Sequence, residues 1–334
     1  MEYLLKTIVY GNEIIIEEPE SASFKTNTKN LLFCSISLIA IYVTWGMLQE
    51  RIMTTAYEAK TYDVVLKEYE TIKKKIEDPQ FIIFYSRLFA FTSSALCIIY
   101  KKWKNQSKNE YGTAPFHLYS LCAFSNVVSS WFQYEALQYI SFPMQVVSKS
   151  TKLIPVMLVG FILLNNRYKL YEYITAITIT IGAVIFKLKS NDSFINDSTE
   201  SLSSGILLII GYLLFDAFTS NWQQKLFVRY RVNSVDMLCA ITFFALQMTG
   251  VSYLTKESVD GNISNFISNY SFLKDLLVIC TCSAFGQLII LYTIKKHGAI
   301  IFTIIMIVRQ IIAIFLSRLI IFCTRSMSNC HQNF

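Results

Sequence analysis

Residues 142–164 read "FPMQVVSKSTKLIPVMLVGFILL", an apolar stretch with two lysines, Lys149 and Lys152, near its middle. The stretch is long enough to cross a bilayer as a helix, which needs about 20 apolar residues. The lysines are three positions apart and therefore share one helical face. At about 1.5 Å per residue they lie roughly 10 Å and 15 Å into the span. Cations at such depth are costly and usually face a water-filled cavity or a partner, so this stretch predicts a polar path through a membrane.

The rest of the chain has the same character. Of its 334 residues, 53% are hydrophobic and only 16% are charged, which is typical of a polytopic, all-α integral membrane protein. Nine candidate spans can be bracketed by the length rule. They are residues 31–49, 80–100, 116–137, 142–164, 171–188, 205–223, 236–254, 272–294 and 298–322.

The distribution of lysine and arginine among the short loops favours a cytosolic N-terminus. Residues 1–30 have mixed charge and lack a cleavable signal, so they are predicted to be a cytosolic segment before a retained first span. Residues 63–78, in the first lumenal loop, are predicted to form a short amphipathic helix. Glycosylation sequons in predicted lumenal loops support this orientation. They begin at Asn191, Asn196, Asn262 and Asn269.

A third deep cation lies in the ninth span. Arg309 is roughly 16 Å deep, with Gln310 beside it. Two acids, Glu135 and Asp216, are available as ion partners, but three cations against two acids leave positive potential that suits a phosphate-bearing polyanion. The fourth and ninth spans each take the fourth place in a five-span set. An inverted five-plus-five helix repeat would therefore bring these cations together near the midplane.

The chain has few residues suited to catalysis or metal binding. Its three histidines lie at span edges or in the tail, and no nucleophile, metal-ligand or acid–base constellation is visible. We therefore expect no catalytic residue, metal or cofactor, no nucleic-acid partner, and a carrier and not an enzyme. Arg87, about one turn into the second span, is interpreted equally well as an interfacial snorkelling residue or as a cavity-facing cation.

Five segments of the chain carry a family resemblance: "TWGMLQERIMT" (44–54), "WFQYEALQYISFP" (131–143), "SFPMQVVSKSTKLIPVMLVG" (141–160), "GYLLFDAFTSNWQQKLF" (211–227) and "FGQLIILYTIKKHGAIIFTIIMIVRQ" (285–310). They resemble the nucleotide-sugar transporter family of the drug/metabolite transporter superfamily. Within it they are most similar to the branch that carries 3′-phosphoadenosine 5′-phosphosulfate (PAPS), whereas UDP-galactose-type members are less similar at "TWGMLQER" and "FDAFTSNWQ".

The resemblance implies ten spans, a Golgi membrane location and import of PAPS from the cytosol into the Golgi lumen, by exchange for an adenine nucleotide, to supply sulfotransferases. It also implies that Lys149, Lys152 and Arg309 bind the phosphate and sulfate groups. A UDP-sugar transporter of the same family is the alternative. Weaker candidates for contacts to base or ribose are Gln145, Gln310 and Tyr134.

The chain departs from the family pattern at its C-terminus. The resemblance places the first repeat at 31–188, a lumenal linker at 189–204 and a second repeat at 205–322. Residues 323–334 form a polar tail that is too short to cross a bilayer, so the tenth helix is expected to be lacking. A truncated, non-transporting isoform is therefore a further alternative, and homo-oligomerisation is left open.

Overall fold

The computed structural model describes residues 28–55, 57–63, 68–74, 79–104, 112–136, 138–140, 145, 148–165, 167–189, 199–254 and 270–332. The asparagines of the predicted sequons and most of the predicted N-terminal segment lie outside these ranges. The described helices are α1 (Thr28–Thr54), α2 (Pro79–Trp103), α3 (Phe116–Ala136), α4 (Leu153–Leu164), α5 (Leu170–Lys189), α6 (Thr199–Tyr230), α7 (Ser234–Leu254) and α8 (Tyr270–Gln332).

The predicted helical membrane architecture is confirmed in its general form, because each of the nine predicted spans overlaps a helix. Large apolar side chains cover outward faces, among them Ile36 (65% exposed), Leu96 (66%) and Ile162 (75%), as expected where lipid is the solvent. Five described helical segments are both long and apolar enough to cross a membrane. They are Thr28–Ile52, Phe81–Trp103, Ser203–Tyr230, Ser234–Val251 and Tyr270–Ala313.

The segment between α1 and α2 differs from the prediction. Residues 63–78 were expected to be an amphipathic helix, but strands β1 (Tyr57–Asp63) and β2 (Glu68–Lys74) pair antiparallel there, with Tyr57 opposite Lys74. Period-two and period-3.6 patterns are hard to separate in a short charged stretch. The partner strand β1 lies mostly outside the predicted segment, so the pattern within that segment could not reveal the hairpin.

The fourth predicted span is not one regular helix. The described residues 148–150 are helical, Thr151 and Lys152 form a turn, and α4 begins only at Leu153. Pro155 explains the restart, since proline lacks an N–H and is tolerated only in the first turn of a helix. The depths predicted for the two lysines assumed a continuous helix. Both lysines lie instead at the N-terminal end of a twelve-residue helix.

Helix α8 contains both the eighth and the ninth predicted spans. It is interrupted at Gly298, whose φ of 84° and ψ of 171° belong to a region that essentially only glycine adopts. Residues 270–297 and 299–332 are therefore two helices joined at one residue. The Ala299 N–H donates a hydrogen bond to Gln224 Oε1 (2.9 Å), which satisfies one free donor at the start of the second helix.

The second part of α8 continues past residue 322 to Gln332, through most of the segment predicted as a polar tail. Along its length α8 packs against α1, α2, α4, α6 and α7, while α6 packs against α3 and α4. Helix α8 is therefore the central element of the described bundle. The largest buried cluster draws on α1, α3, α6, α7 and α8, and includes Leu38, Tyr119, Phe227, Met237 and Ile294.

Candidate functional site

A tight turn positions Lys149 and Lys152. The Thr151 N–H donates to the Ser148 carbonyl (3.1 Å) and the Lys152 N–H to the Lys149 carbonyl (3.4 Å), which are the i to i−3 bonds of a 3₁₀ turn. Lys152 is the N-cap of α4, so its side chain starts at the positive end of that helix. This end of α4 therefore combines two lysines with the helix dipole, an arrangement that attracts anions.

Lys152 forms an ion pair with Asp216 of α6. The side chains are 11% and 25% exposed, respectively, so the pair is largely removed from the surface. The Lys152 ammonium also lies over the ring of Phe302 from α8, 5.5 Å from its centroid. Lys152 is thus positioned between two helices, α6 and α8, that come from the second half of the chain.

Lys149 and Arg309 each lie over a tyrosine ring. The Lys149 ammonium is 5.9 Å from the ring centroid of Tyr212 on α6. The Arg309 guanidinium carbon is 5.8 Å from that of Tyr42 on α1. Neither cation has a salt bridge to a carboxylate in the part of the chain that the structure describes. An aromatic face stabilises a cation without neutralising its charge, so both remain able to bind an anion.

Lys149 lies close enough to both Lys152 and Arg309 for their charges to interact. The charge on Lys149 interacts with those on Arg309, Asp216 and Lys152, and Arg309 interacts also with Tyr212. We call Lys149, Lys152 and Arg309 the cation cluster. Within the described residues, the buried Nε of Arg309 has no hydrogen-bond partner. Because buried polar groups in folded proteins are nearly always paired, this free donor indicates a position for an acceptor.

The other residues predicted for the site have different surroundings. Glu135 accepts a hydrogen bond from Gln138 (3.3 Å) and forms no ion pair with the cation cluster. Gln145 is 2% exposed and donates to the Gln133 carbonyl, which ties the segment before α4 to α3. Tyr134 is half-buried at the end of α3, and Gln310 is buried beside Arg309.

Arg87 lies in a separate environment. It is 7% exposed, and its guanidinium donates to Asn126 Oδ1 of α3 (3.2 Å) and the Ala245 carbonyl of α7 (3.5 Å). It also interacts electrostatically with Tyr134. The snorkelling interpretation is therefore wrong, because the side chain is buried between helices. Its partners are neutral oxygens that join α2 to α3 and α7.

Three aromatic residues of the site were missed by the sequence analysis. Tyr42, Tyr212 and Phe302 supply the rings that face the cation cluster. With 20 tyrosines and 25 phenylalanines in the chain, composition could not single them out.

A polytopic helical membrane protein with partly unpaired cations on a broken helix belongs to the general class of membrane carriers. Comparison with known families agrees. The model of the UAA transporter family matches residues 30–330, and this chain belongs to that family.

Individual relatives are also transporters by name. The adenosine 3′-phospho 5′-phosphosulfate transporter 1 of Drosophila melanogaster is 39% identical over 86% of this chain, and that of Homo sapiens is 38% identical over 95%. UDP-galactose/UDP-glucose transporter 5 of Arabidopsis thaliana is 30% identical over 90% of the chain. The matched regions are 58%, 72% and 84% of the respective relatives, so the chain spans little more than half of the fly protein.

Proposed function

We propose that this chain is an alternating-access carrier that moves PAPS from the cytosol into the Golgi lumen. The cytosolic N-terminus, the Golgi location and the exchange for an adenine nucleotide follow from the family resemblance and the loop charges. PAPS carries several phosphate and sulfate charges, and the cation cluster supplies the complementary charge. The names of the fly and human relatives, at 39% and 38% identity, support PAPS as the substrate.

The observation that carries this proposal is the incomplete pairing of the cation cluster. Lys149 and Arg309 lie over aromatic rings and form no salt bridge among the described residues, and Arg309 Nε is a buried donor whose partner is absent from the described residues. Charge-assisted hydrogen bonds to phosphate oxygens would satisfy these groups. We assign Lys149, Lys152 and Arg309 to the phosphates and the sulfate, with Gln145, Gln310 and Tyr134 as weaker candidates for base or ribose contacts.

The two halves of the chain are proposed to form an inverted repeat that rocks around this site. Packing contacts support the repeat because they occur in matched pairs. In a five-plus-five repeat the first span corresponds to the sixth, the second to the seventh and the third to the eighth. Accordingly, α1 packs on α8 as α6 packs on α3, and the two corresponding helices α2 and α7 pack on each other. The aromatic contacts match too, since Lys149 lies over Tyr212 at 5.9 Å as Arg309 lies over Tyr42 at 5.8 Å.

Uptake into proteoliposomes that contain this 334-residue chain tests the proposal. Labelled PAPS should enter saturably, and unlabelled adenosine 3′,5′-bisphosphate should compete, whereas UDP-galactose should not. Competition by UDP-galactose alone would favour the UDP-sugar alternative. No uptake of labelled PAPS, and none of labelled UDP-galactose in a parallel assay, would favour the non-transporting alternative.

A matched pair of variants connects this test to the site. Lys152→Ala should greatly reduce PAPS uptake without preventing membrane insertion. Lys225→Ala should leave uptake unchanged, because Lys225 lies over a different ring, that of Trp222 at 5.2 Å, outside the cation cluster. Normal uptake by Lys152→Ala would contradict the assigned role.

A further inference from the structure

We propose that Asp216 is an internal counter-anion that competes with the nucleotide for Lys152 and thereby promotes release of the substrate and return of the unloaded carrier. This inference rests on the proposed function, since it concerns the same cation cluster. It adds a role for a residue that cannot itself bind an anion.

The Asp216 carboxylate has an unfavourable position for a charged group. Asp216 lies within α6, inside a segment apolar enough to span a membrane, and its only ion pair in the described ranges is with Lys152. Ionisable residues inside spans are costly and usually serve a functional path. A buried ion pair is also weak evidence for stability, because apolar residues of similar volume often stabilise a fold equally well. The pair therefore calls for a role other than helix packing.

The Lys152–Asp216 pair can be compared with the corresponding positions in the other half of the chain. One helical turn beyond the Lys149–Tyr212 contact lies the Lys152–Asp216 pair. The same offsets, three and four residues, from the matched contact in the other half lead to Ile312 and Gly46. These two cannot form an ion pair. The Lys152–Asp216 pair therefore has no charged counterpart at the matched positions of the other half.

Helices α4 and α6 are also joined without the ion pair. The Asn221 side-chain amide donates to the Val156 carbonyl (2.9 Å) about one turn further along both helices. A Cβ atom built on Gly160 would lie only 2.8 Å from Asn221 Oδ1, which shows how closely the helices approach there. The ion pair can therefore open while this uncharged contact keeps the two helices together.

The consequence for transport follows from charge balance. While a phosphate or sulfate group binds Lys152, Asp216 repels it and limits affinity. After the group leaves, Asp216 neutralises Lys152, which lowers the electrostatic cost of closing the empty site off from water while the unloaded carrier returns. Without the carboxylate, nucleotides should bind more tightly, and the unloaded carrier should return more slowly.

The test compares Asp216→Asn with wild type in two measurements. Binding of adenosine 3′,5′-bisphosphate to the purified chain should become ~10-fold tighter. Uptake of labelled PAPS into nucleotide-free vesicles should fall ~10-fold relative to uptake into vesicles loaded with the bisphosphate, because only the former requires return of the unloaded carrier. Asp216→Glu, which keeps the charge, should behave like wild type in both measurements.

Glu135→Gln is the matched control, since it removes a half-buried carboxylate that is bonded to Gln138 and not to the cluster. It should change neither readout. Equal or weaker binding by Asp216→Asn, or an unchanged ratio of the two uptakes, would overturn the role of Asp216. If Asp216→Asn does not insert, Asp216→Ser serves as the second neutral variant with the same expected results.

The proposed function can fail separately. If the wild-type chain carries UDP-galactose and not PAPS, the substrate assignment is wrong, and the Asp216→Asn comparison is made with UDP-galactose under the same criteria. A wild-type chain that binds neither nucleotide overturns both proposals.

Discussion

Arg87 and the cation cluster lie in two regions of the helical bundle, and their surroundings differ in kind. Arg87 is 7% exposed and donates to two neutral oxygens from α3 and α7. The cation cluster has aromatic faces, one carboxylate and a buried donor without a described partner. Depth in a span identifies a costly cation, but only its partners separate a group that joins helices from one that can bind a ligand.

The largest effect is expected from Arg309→Gln. This variant removes the charge and the unpaired Nε donor, and hydrogen bonds between charged partners contribute up to about 3 kcal/mol, which corresponds to ~100-fold in affinity. PAPS uptake at equal protein per vesicle should fall by about that factor, while insertion, measured by protease protection, should not change. Arg309→Lys, which retains a charge, should keep part of the uptake. Full uptake by Arg309→Gln would erase the distinction between the two regions.

Arg87→Leu should act on stability instead. The substitution leaves Asn126 Oδ1 without its Arg87 donor, at a cost of about 1–3 kcal/mol, whereas the Ala245 carbonyl keeps the hydrogen bond from the Thr249 hydroxyl. The melting temperature in detergent should fall, while the affinity of the folded fraction for adenosine 3′,5′-bisphosphate should change by less than ~3-fold. An affinity loss as large as that of Arg309→Gln would place Arg87 among the substrate ligands.

Lys149→Gln should have an intermediate effect. Lys149 contributes charge and is positioned over the ring of Tyr212, so its loss should weaken nucleotide binding ~10-fold. Lys225→Gln is the control, because Lys225 also lies over an aromatic ring of α6 but outside the cation cluster. Equal affinities for the two variants would mean that nucleotide binding requires positive charge near α6 but not at the position of Lys149.

Gly298→Ala should lower nucleotide affinity less than Arg309→Gln or Lys149→Gln. The φ of 84° at this position costs a non-glycine residue about 1–3 kcal/mol, so α8 should relax its bend. Arg309 lies on the far side of the bend and should shift relative to α4, with a ~3-fold loss of nucleotide affinity. Arg87 is on α2, so Gly298→Ala should not change the stability that the Arg87 contacts contribute. The double variant Gly298→Ala/Arg87→Leu checks this expectation. Non-additive losses of stability would contradict this independence.

Several features of the site could be predicted from sequence for a clear physical reason. Lys149, Lys152 and Arg309 stand out because a cation among apolar residues is costly, and that cost does not depend on the fold. Asp216 was identified as an available acid. Which cation it pairs with depends on how α4 packs on α6, and no local pattern encodes that packing.

Other features required the three-dimensional structure. Pro155 signals an irregular fourth span, but the hydrophobic pattern alone favours a continuous helix, and the depths predicted for the lysines rested on that continuity. The hairpin of β1 and β2 depends on a partner strand that lies mostly outside residues 63–78, the segment predicted to be a helix. The environment of Arg87 is set by α3 and α7, which are distant in sequence.

The most direct test of the central claim, that the cation cluster and not Arg87 binds the anionic groups of the substrate, is the charge dependence of binding. Dissociation constants would be measured for adenosine, adenosine 5′-monophosphate and adenosine 3′,5′-bisphosphate on wild type, Arg309→Gln and Arg87→Lys. We predict that wild type and Arg87→Lys bind ~10-fold more tightly with each added phosphate, and that Arg309→Gln loses at least one of these increments. The same charge dependence in all three proteins would contradict the account.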